Sequence, residues 1–179
     1  MTEVAHDPLY SLAHLTLINA TTPELIYIAD RAGYDAVSPR FIPMNVPGEF
    51  KQSPIDNQMI AATKIALKTT GIKVLDIELA RITEDCDPRN FERALELGGE
   101  LGAKRMIMSA WTTDRTDRNF ILDCFSETCE IAYQYGLSVD LEFPSFSRLR
   151  TLDEALDIVR AAKQPNGGIL VDTLYLHLS

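Results

Sequence analysis

Val139-Asp140-Leu141-Glu142-Phe143-Pro144 is the stretch from which the rest of the chain can be read. Apolar residues alternate with two carboxylates. A proline then ends the run, because it has no N–H to give a neighbouring strand. A second stretch, Gly168-Ile169-Leu170-Val171-Asp172-Thr173, repeats the plan: an apolar run closed by a carboxylate. Short apolar runs suit parallel strands that are covered on both faces. In parallel sheets and barrels, ligands bind at the carboxyl ends of the strands. Glu142 and Asp172 are therefore expected to converge on one pocket.

Outward from these stretches, one signal recurs: an amphipathic helical pattern, then glycine, then an apolar strand. The glycines stand at 33, 71, 102, 136 and 167, at intervals of 38, 31, 34 and 31 residues. Glycine after a helix takes the left-handed cap conformation and turns the chain back. A period of this size holds one helix and one strand, the βα unit of a parallel sheet. Strands are predicted over 10–16, 35–40, 73–79 and 105–110, then over the two stretches quoted above, the sixth strand closing the readable chain. Thr21-Thr22-Pro23-Glu24 opens the first helix with a hydroxyl cap and an early proline. The second helix is predicted over 55–69, after a turn-rich loop at 43–54. The third starts near Asp87-Pro88 and ends by Leu101, and the fourth covers about 118–135. Thr151-Leu152-Asp153-Glu154 is a capping box that opens the fifth.

Six strands and five helices fit an open doubly wound sheet or a (β/α) barrel with six of its eight units. No glycine-rich phosphate fingerprint follows the first strand, which weakens the nucleotide-binding alternative. The near-equal repeat favours the barrel, whose full form needs eight units and about 250 residues. The expected fold class is α/β of TIM-barrel type. It forms a single domain over 1–179 with six of eight βα units, incomplete at its C-terminus. Such a domain leaves the edges of its first and sixth strands open, so further chain or a second copy is expected to cover them.

Composition narrows the function classes. The balance of 17 basic and 26 acidic residues gives a net charge of -9. That opposes the clustered Lys and Arg a nucleic acid requires, so no nucleic acid partner is expected. No apolar run approaches the ~20 residues of a membrane span, and residues 1–8 lack the layout of a signal peptide. Cys86, Cys124 and Cys129 are too few and too irregularly spaced for a disulfide framework or a zinc site. A reducing cytoplasm is the expected location.

His14, Arg40, Glu78, Trp111, Glu142 and Asp172 stand at the predicted strand ends. Side chains alternate along a strand, so Glu142 shares a face with Asp140, and Glu78 with Asp76. His14 and Arg40 are candidates to bind a substrate hydroxyl, carboxylate or phosphate, the guanidinium through its planar fork of donors. Arg40 can equally pair with a carboxylate such as Glu78. Trp111 either walls the pocket or packs at its rim. Cys124 and Cys129 read as buried free thiols, and Met106 and Met108 as core.

Leu12-Ala13-His14-Leu15-Thr16, Ala32-Gly33-Tyr34-Asp35-Ala36-Val37, Leu75-Asp76-Ile77-Glu78-Leu79, Glu100-Leu101-Gly102-Ala103, Leu141-Glu142-Phe143 and Val171-Asp172-Thr173-Leu174 carry a resemblance over nearly the whole chain. In order and spacing they resemble the sugar phosphate isomerase/epimerase group of the xylose isomerase-like TIM barrels. The resemblance implies a metal-dependent isomerase, epimerase or dehydratase acting on a small polyhydroxylated, carbohydrate-like carbonyl compound. It also implies a divalent metal, Mg²⁺ or Mn²⁺, held by a Glu after strand 5, an Asp after strand 6, a His after strand 7 and a Glu after strand 8. Glu142 and Asp172 match the first two ligands; the other two have no counterpart here. Where the family often reads Asp-Thr-Leu-His, this chain has Asp172-Thr173-Leu174-Tyr175, and His177 comes two places late. Glu142 is the implied acid or base beside the metal, with His14, Arg40, Glu78 and Trp111 contacting substrate. The alternative is a catalytically silent barrel fragment or binding module that lacks the last two ligands.

Overall fold

A computed structural model describes residues 8–49 and 56–179. Strands and helices alternate: β1 (Ser11–Ala13), α1 (Thr22–Ala32), β2 (Ala36–Ser38), α2 (Asn57–Thr70), β3 (Lys73–Val74), β4 (Asp76–Ile82), α3 (Glu92–Glu100), β5 (Arg105–Ala110), α4 (Arg118–Gln134), β6 (Ser138–Glu142), α5 (Leu152–Ala162), β7 (Gly167–Ile169) and α6 (Thr173–Leu178). Short 3-10 turns occupy His14–Leu17 and Pro88–Phe91. All pairings are parallel, in the orders β1-β2-β3 and β4-β5-β6-β7.

β3 and β4 share one strand position. The Leu75 N–H donates to the Val37 carbonyl, the Glu78 N–H to Pro39 and the Phe41 N–H to Glu78, which carries the ladder from β2 onto β4. The result is six successive strand positions in chain order, six of the eight units of a (β/α) barrel. Glu78 and Leu79 have no register partner on β5, so β4 bulges there.

Local chemistry explains the elements. Thr21 and Glu24 form a reciprocal capping box at α1, and Thr151 and Glu154 do the same at α5. Gly33, with φ 79°, closes α1 in the left-handed region. The core lies between strands and helices. Met106, Met108, Val139 and Leu141 on the sheet and Leu25, Leu95, Ile121 and Phe125 on the helices belong to one buried apolar cluster. Each such side chain contributes roughly 1.5–3 kcal/mol by leaving water.

Several expected boundaries are corrected. The strand predicted over 10–16 stops at Ala13, because His14 begins a 3-10 turn. The strand predicted over 73–79 is interrupted at Leu75 and runs on to Ile82. Gly167 is not a helix cap. Lys163, with φ 53°, takes that role, and Gly167 instead gives close passage to the Phe125 ring, which a Cβ would approach to 3.1 Å. The sixth strand ends at Ile169 and does not close the chain, since Asp172 caps a further helix, α6. The start of α2 agrees with expectation from Asp56 onward, while residue 55 and the end of the turn-rich loop lie outside the described residues.

Candidate functional site

Two layers of polar side chains stand on the same strands. The lower layer, toward the strand starts, holds Asp76, Arg105 and Asp140. Arg105 Nη1 donates to both Asp140 oxygens, at 3.2 and 2.9 Å. Asp76 is buried and accepts from Ser38, and its carboxyl is pushed upward first by burial and then by Asp140.

The upper layer, at the carboxyl ends, holds Arg40, Glu78, Ser109, Trp111, Glu142 and Asp172. Ser109 and Glu142 face each other in the β5–β6 register. The Ser109 hydroxyl donates to Glu142 Oε2 at 2.5 Å and accepts from the Trp111 indole N–H at 3.1 Å. Glu142 is half-buried, and its pKa is raised first by burial and also by the nearby Asp172 carboxylate. Asp172 follows β7, and its Oδ1 accepts from the Leu174 and Tyr175 N–H groups. Among the described residues no ion pair reaches Glu142 or Asp172. Two neighbouring carboxylates thus share the mouth of β6 and β7 without a cation to answer them.

Arg40 and Glu78 form a buried pair across β2 and β4, with Nη2 2.9 Å from Oε2. Arg40 Nη1 lies 3.9 Å from Glu49, whose oxygens accept the N–H groups of Met44 and Asn45. Burial pushes Glu78 up to about 7 against the pull of Arg40; Asp76 and Glu142 add to the rise. Arg40 Nε and Nη1 are buried and have no hydrogen-bond partner among the described residues. The expected pairing of Arg40 with Glu78 is present.

His14 does not offer its ring to the site. Nδ1 accepts from the Arg40 N–H at 2.9 Å, so Nε2 carries the proton and donates to the Ala20 carbonyl at 2.9 Å. Burial lowers its pKa, in keeping with a neutral imidazole tying two backbone segments together. Trp111 sits at the rim. Arg81 lies 5.0 Å over its ring, Phe146 meets it edge-on at 5.5 Å, and Tyr175 meets Phe146 at 6.2 Å. His177, on α6, is exposed.

Sequence reasoning missed Ser109 and Glu49. Ser109 is the one hydroxyl in an otherwise apolar strand core, and its strand register with Glu142 is the signal that could have found it. Glu49 gave no signal, since its role depends on how the loop after β2 folds back.

The xylose isomerase-like TIM barrel family model matches residues 26–178. No curated protein matches the sequence. Among solved structures, the IolI protein with a bound zinc atom superposes with a TM-score of 0.72 at 22% identity, covering 93% of this chain and 63% of that one. The 3-keto-D-glucoside 4-epimerase YcjR from E. coli gives 0.76 at 17% identity, covering 96% and 71%. A xylose isomerase-like TIM barrel protein from Mycobacterium smegmatis in complex with magnesium gives 0.70 at 14% identity, covering 96% and 66%. At these identities the likeness concerns the fold, and the chain spans about two thirds of the length of these structures. The family match covers most of the sequence, and its fold is the one observed: the chain belongs to the xylose isomerase-like TIM barrel family.

Proposed function

We propose that the chain carries the first part of a metal-dependent sugar isomerase or epimerase site, acting by proton transfer beside the carbonyl of a small polyhydroxylated compound. The observation that carries this reading is the pair Glu142 and Asp172, neighbours after β6 and β7 that no ion pair reaches among the described residues. The donor set fits a hard divalent cation such as Mg²⁺ or Mn²⁺, because it offers carboxylate oxygens. Relief of the repulsion that raises the Glu142 pKa would favour binding. IolI with zinc and the Mycobacterium smegmatis protein with magnesium support a divalent ion in this fold. When bound, such an ion supplies positive charge that stabilises the oxygen of a carbonyl as the neighbouring C–H is deprotonated.

The chain's own residues have separate tasks. Glu142 Oε2 is held by Ser109, which leaves Oε1 to act as ligand or to take the proton. Asp172 Oδ1 is spent on the α6 cap, so its other oxygen is the one available to a cation. Arg40, whose Nε and Nη1 lack a hydrogen-bond partner among the described residues but are buried from solvent, holds Glu78 in place, and His14 has both nitrogens engaged. Glu78, poised near neutrality, can hydrogen-bond a hydroxyl as donor or acceptor. Trp111 stands at the rim on the β5 side, packed against Arg81 and Phe146. YcjR, an epimerase by its name, supports the reaction class.

A second reading has its own support. Among the described residues no group of three His, Cys, Asp or Glu is placed to hold a metal. A binding module or silent fragment would have such a reduced set. The open edges of β1 and β7 are consistent with self-association, and three free thiols suit a reducing cytoplasm. Among the described residues no helix is long and apolar enough to cross a membrane.

The test is solvent deuterium uptake. The chain is incubated in D2O with Mg²⁺ or Mn²⁺ and a panel of neutral and phosphorylated ketoses, and label beside the carbonyl is read by mass spectrometry. Metal-dependent labelling that is lost in Glu142→Gln supports the enzyme reading. Sugar or metal binding without labelling would favour the binding module.

A further inference from the structure

Resting on the assignment of Glu142 above, we propose that Ser109 is the positioning residue for that carboxylate. Trp111, joined to it through Ser109, then reports the state of the site. The chain of donors can run in only one direction. An indole N–H can only donate, so Ser109 Oγ accepts from Trp111. Ser109 then has one proton to give, and it goes to Glu142 Oε2 at 2.5 Å, a short, charge-assisted contact. Ser109 is fully buried on β5, so water cannot replace it in this relay.

The relay fixes two things at once. It selects one Glu142 oxygen to be held by the protein and leaves the other for ligand or substrate. It also ties the only tryptophan of the chain to the charge on Glu142. No other indole contributes background emission, so a change at Glu142 is read through Trp111 alone. Threonine can keep the hydroxyl in place, whereas alanine leaves both the indole N–H and Oε2 without a partner.

Two measurements on the full chain test this. The first needs no metal: Trp111 emission is recorded for wild type, Ser109→Ala, Glu142→Gln and the double variant. The relay requires that Glu142→Gln shifts the emission in the wild-type background and has no effect once Ser109 is alanine. Equal shifts in both backgrounds would overturn it, whether or not the protein binds metal. The second is Mn²⁺ affinity by calorimetry, with quenching of Trp111 in parallel. Loss of a group that orients a metal ligand costs about 10- to 100-fold in affinity. Ser109→Ala should lose that much, and Ser109→Thr should recover most of it. Tight Mn²⁺ binding unchanged in Ser109→Ala would remove the positioning role while leaving the metal site intact. No Mn²⁺ binding by wild type would count against the Glu142 assignment, and the emission cycle would still decide the relay.

Discussion

Asp140 and Glu142 stand two residues apart on β6, yet they meet different fates. Asp140 lies in the lower layer, where the Arg105 guanidinium caps both of its oxygens. Glu142 lies in the upper layer, where a neutral hydroxyl holds one oxygen and a second carboxylate stands nearby. One strand position beyond β5 the division is different: Asp76 in the lower layer is buried with Oδ1 unpartnered among the described residues, and burial raises its pKa, while Glu78 in the upper layer is paired with Arg40 and pushed by burial up to about 7. On β6, then, the lower charge is answered by a guanidinium and the upper one by a hydroxyl alone, the arrangement expected of a strand end that meets a ligand. Arg105 ties β5 to β6 in the lower layer; in the function proposed above, Glu142 meets a cation in the upper one.

This contrast can be broken by substitution. The largest effect is expected at Arg40, whose pair with Glu78 is buried on both sides. Arg40→Ala should cost about 3–5 kcal/mol at pH 8, because the buried Glu78 is then either charged and alone or forced to take up a proton. It should cost less at pH 5, where Glu78 takes a proton; urea unfolding at the two values checks this. Glu78 itself should tilt the pH profile. Its folded pKa of about 7 lies above the reference value of 4.5, so the folded state holds the proton more tightly than the unfolded one. The stability from this is complete below pH 4.5 and is lost as pH rises through 7, a fall of up to about 3 kcal/mol. Glu78→Gln should flatten that part of the profile.

Arg105 is expected to matter less, because its side chain is half exposed. Arg105→Ala leaves Asp140 with water on one side, at about 1–2 kcal/mol. The smallest effect should fall on the site. Glu142→Gln, without metal, should change stability by less than about 0.5 kcal/mol, since it removes a repelled charge. A loss of several kcal/mol there would place Glu142 with the structural layer.

Much of this was legible in the sequence, for physical reasons that differ by residue. The glycine period, the capping residues at Thr21 and Thr151, and the buried Met106 and Met108 follow from local rules, so the βα order was readable. The place of Glu142 at the end of β6 was readable because a carboxylate ending an apolar strand serves packing poorly, whereas Asp172, read as a strand end, stands beyond β7 as the cap of α6; their role as ligands is a proposal. The Arg40–Glu78 pair was readable as one of two options and needed the register between β2 and β4 to select it. His14 was not readable, because its fate depends on the chain turning at Ala13 so that both nitrogens meet backbone. Ser109 was invisible because a serine in a strand becomes functional only through what lies across the register. The interruption at Leu75 arises where the ladder passes from β2 to β5, which no pattern within the segment records.

The most direct test of the two-layer account is a calorimetric Mn²⁺ titration of three proteins: wild type, Asp140→Asn and Glu142→Ala. The expected result is micromolar binding by wild type, retained in Asp140→Asn and lost in Glu142→Ala. Binding that survives Glu142→Ala, or that disappears equally in both variants, would contradict the assignment of the cation to the upper layer.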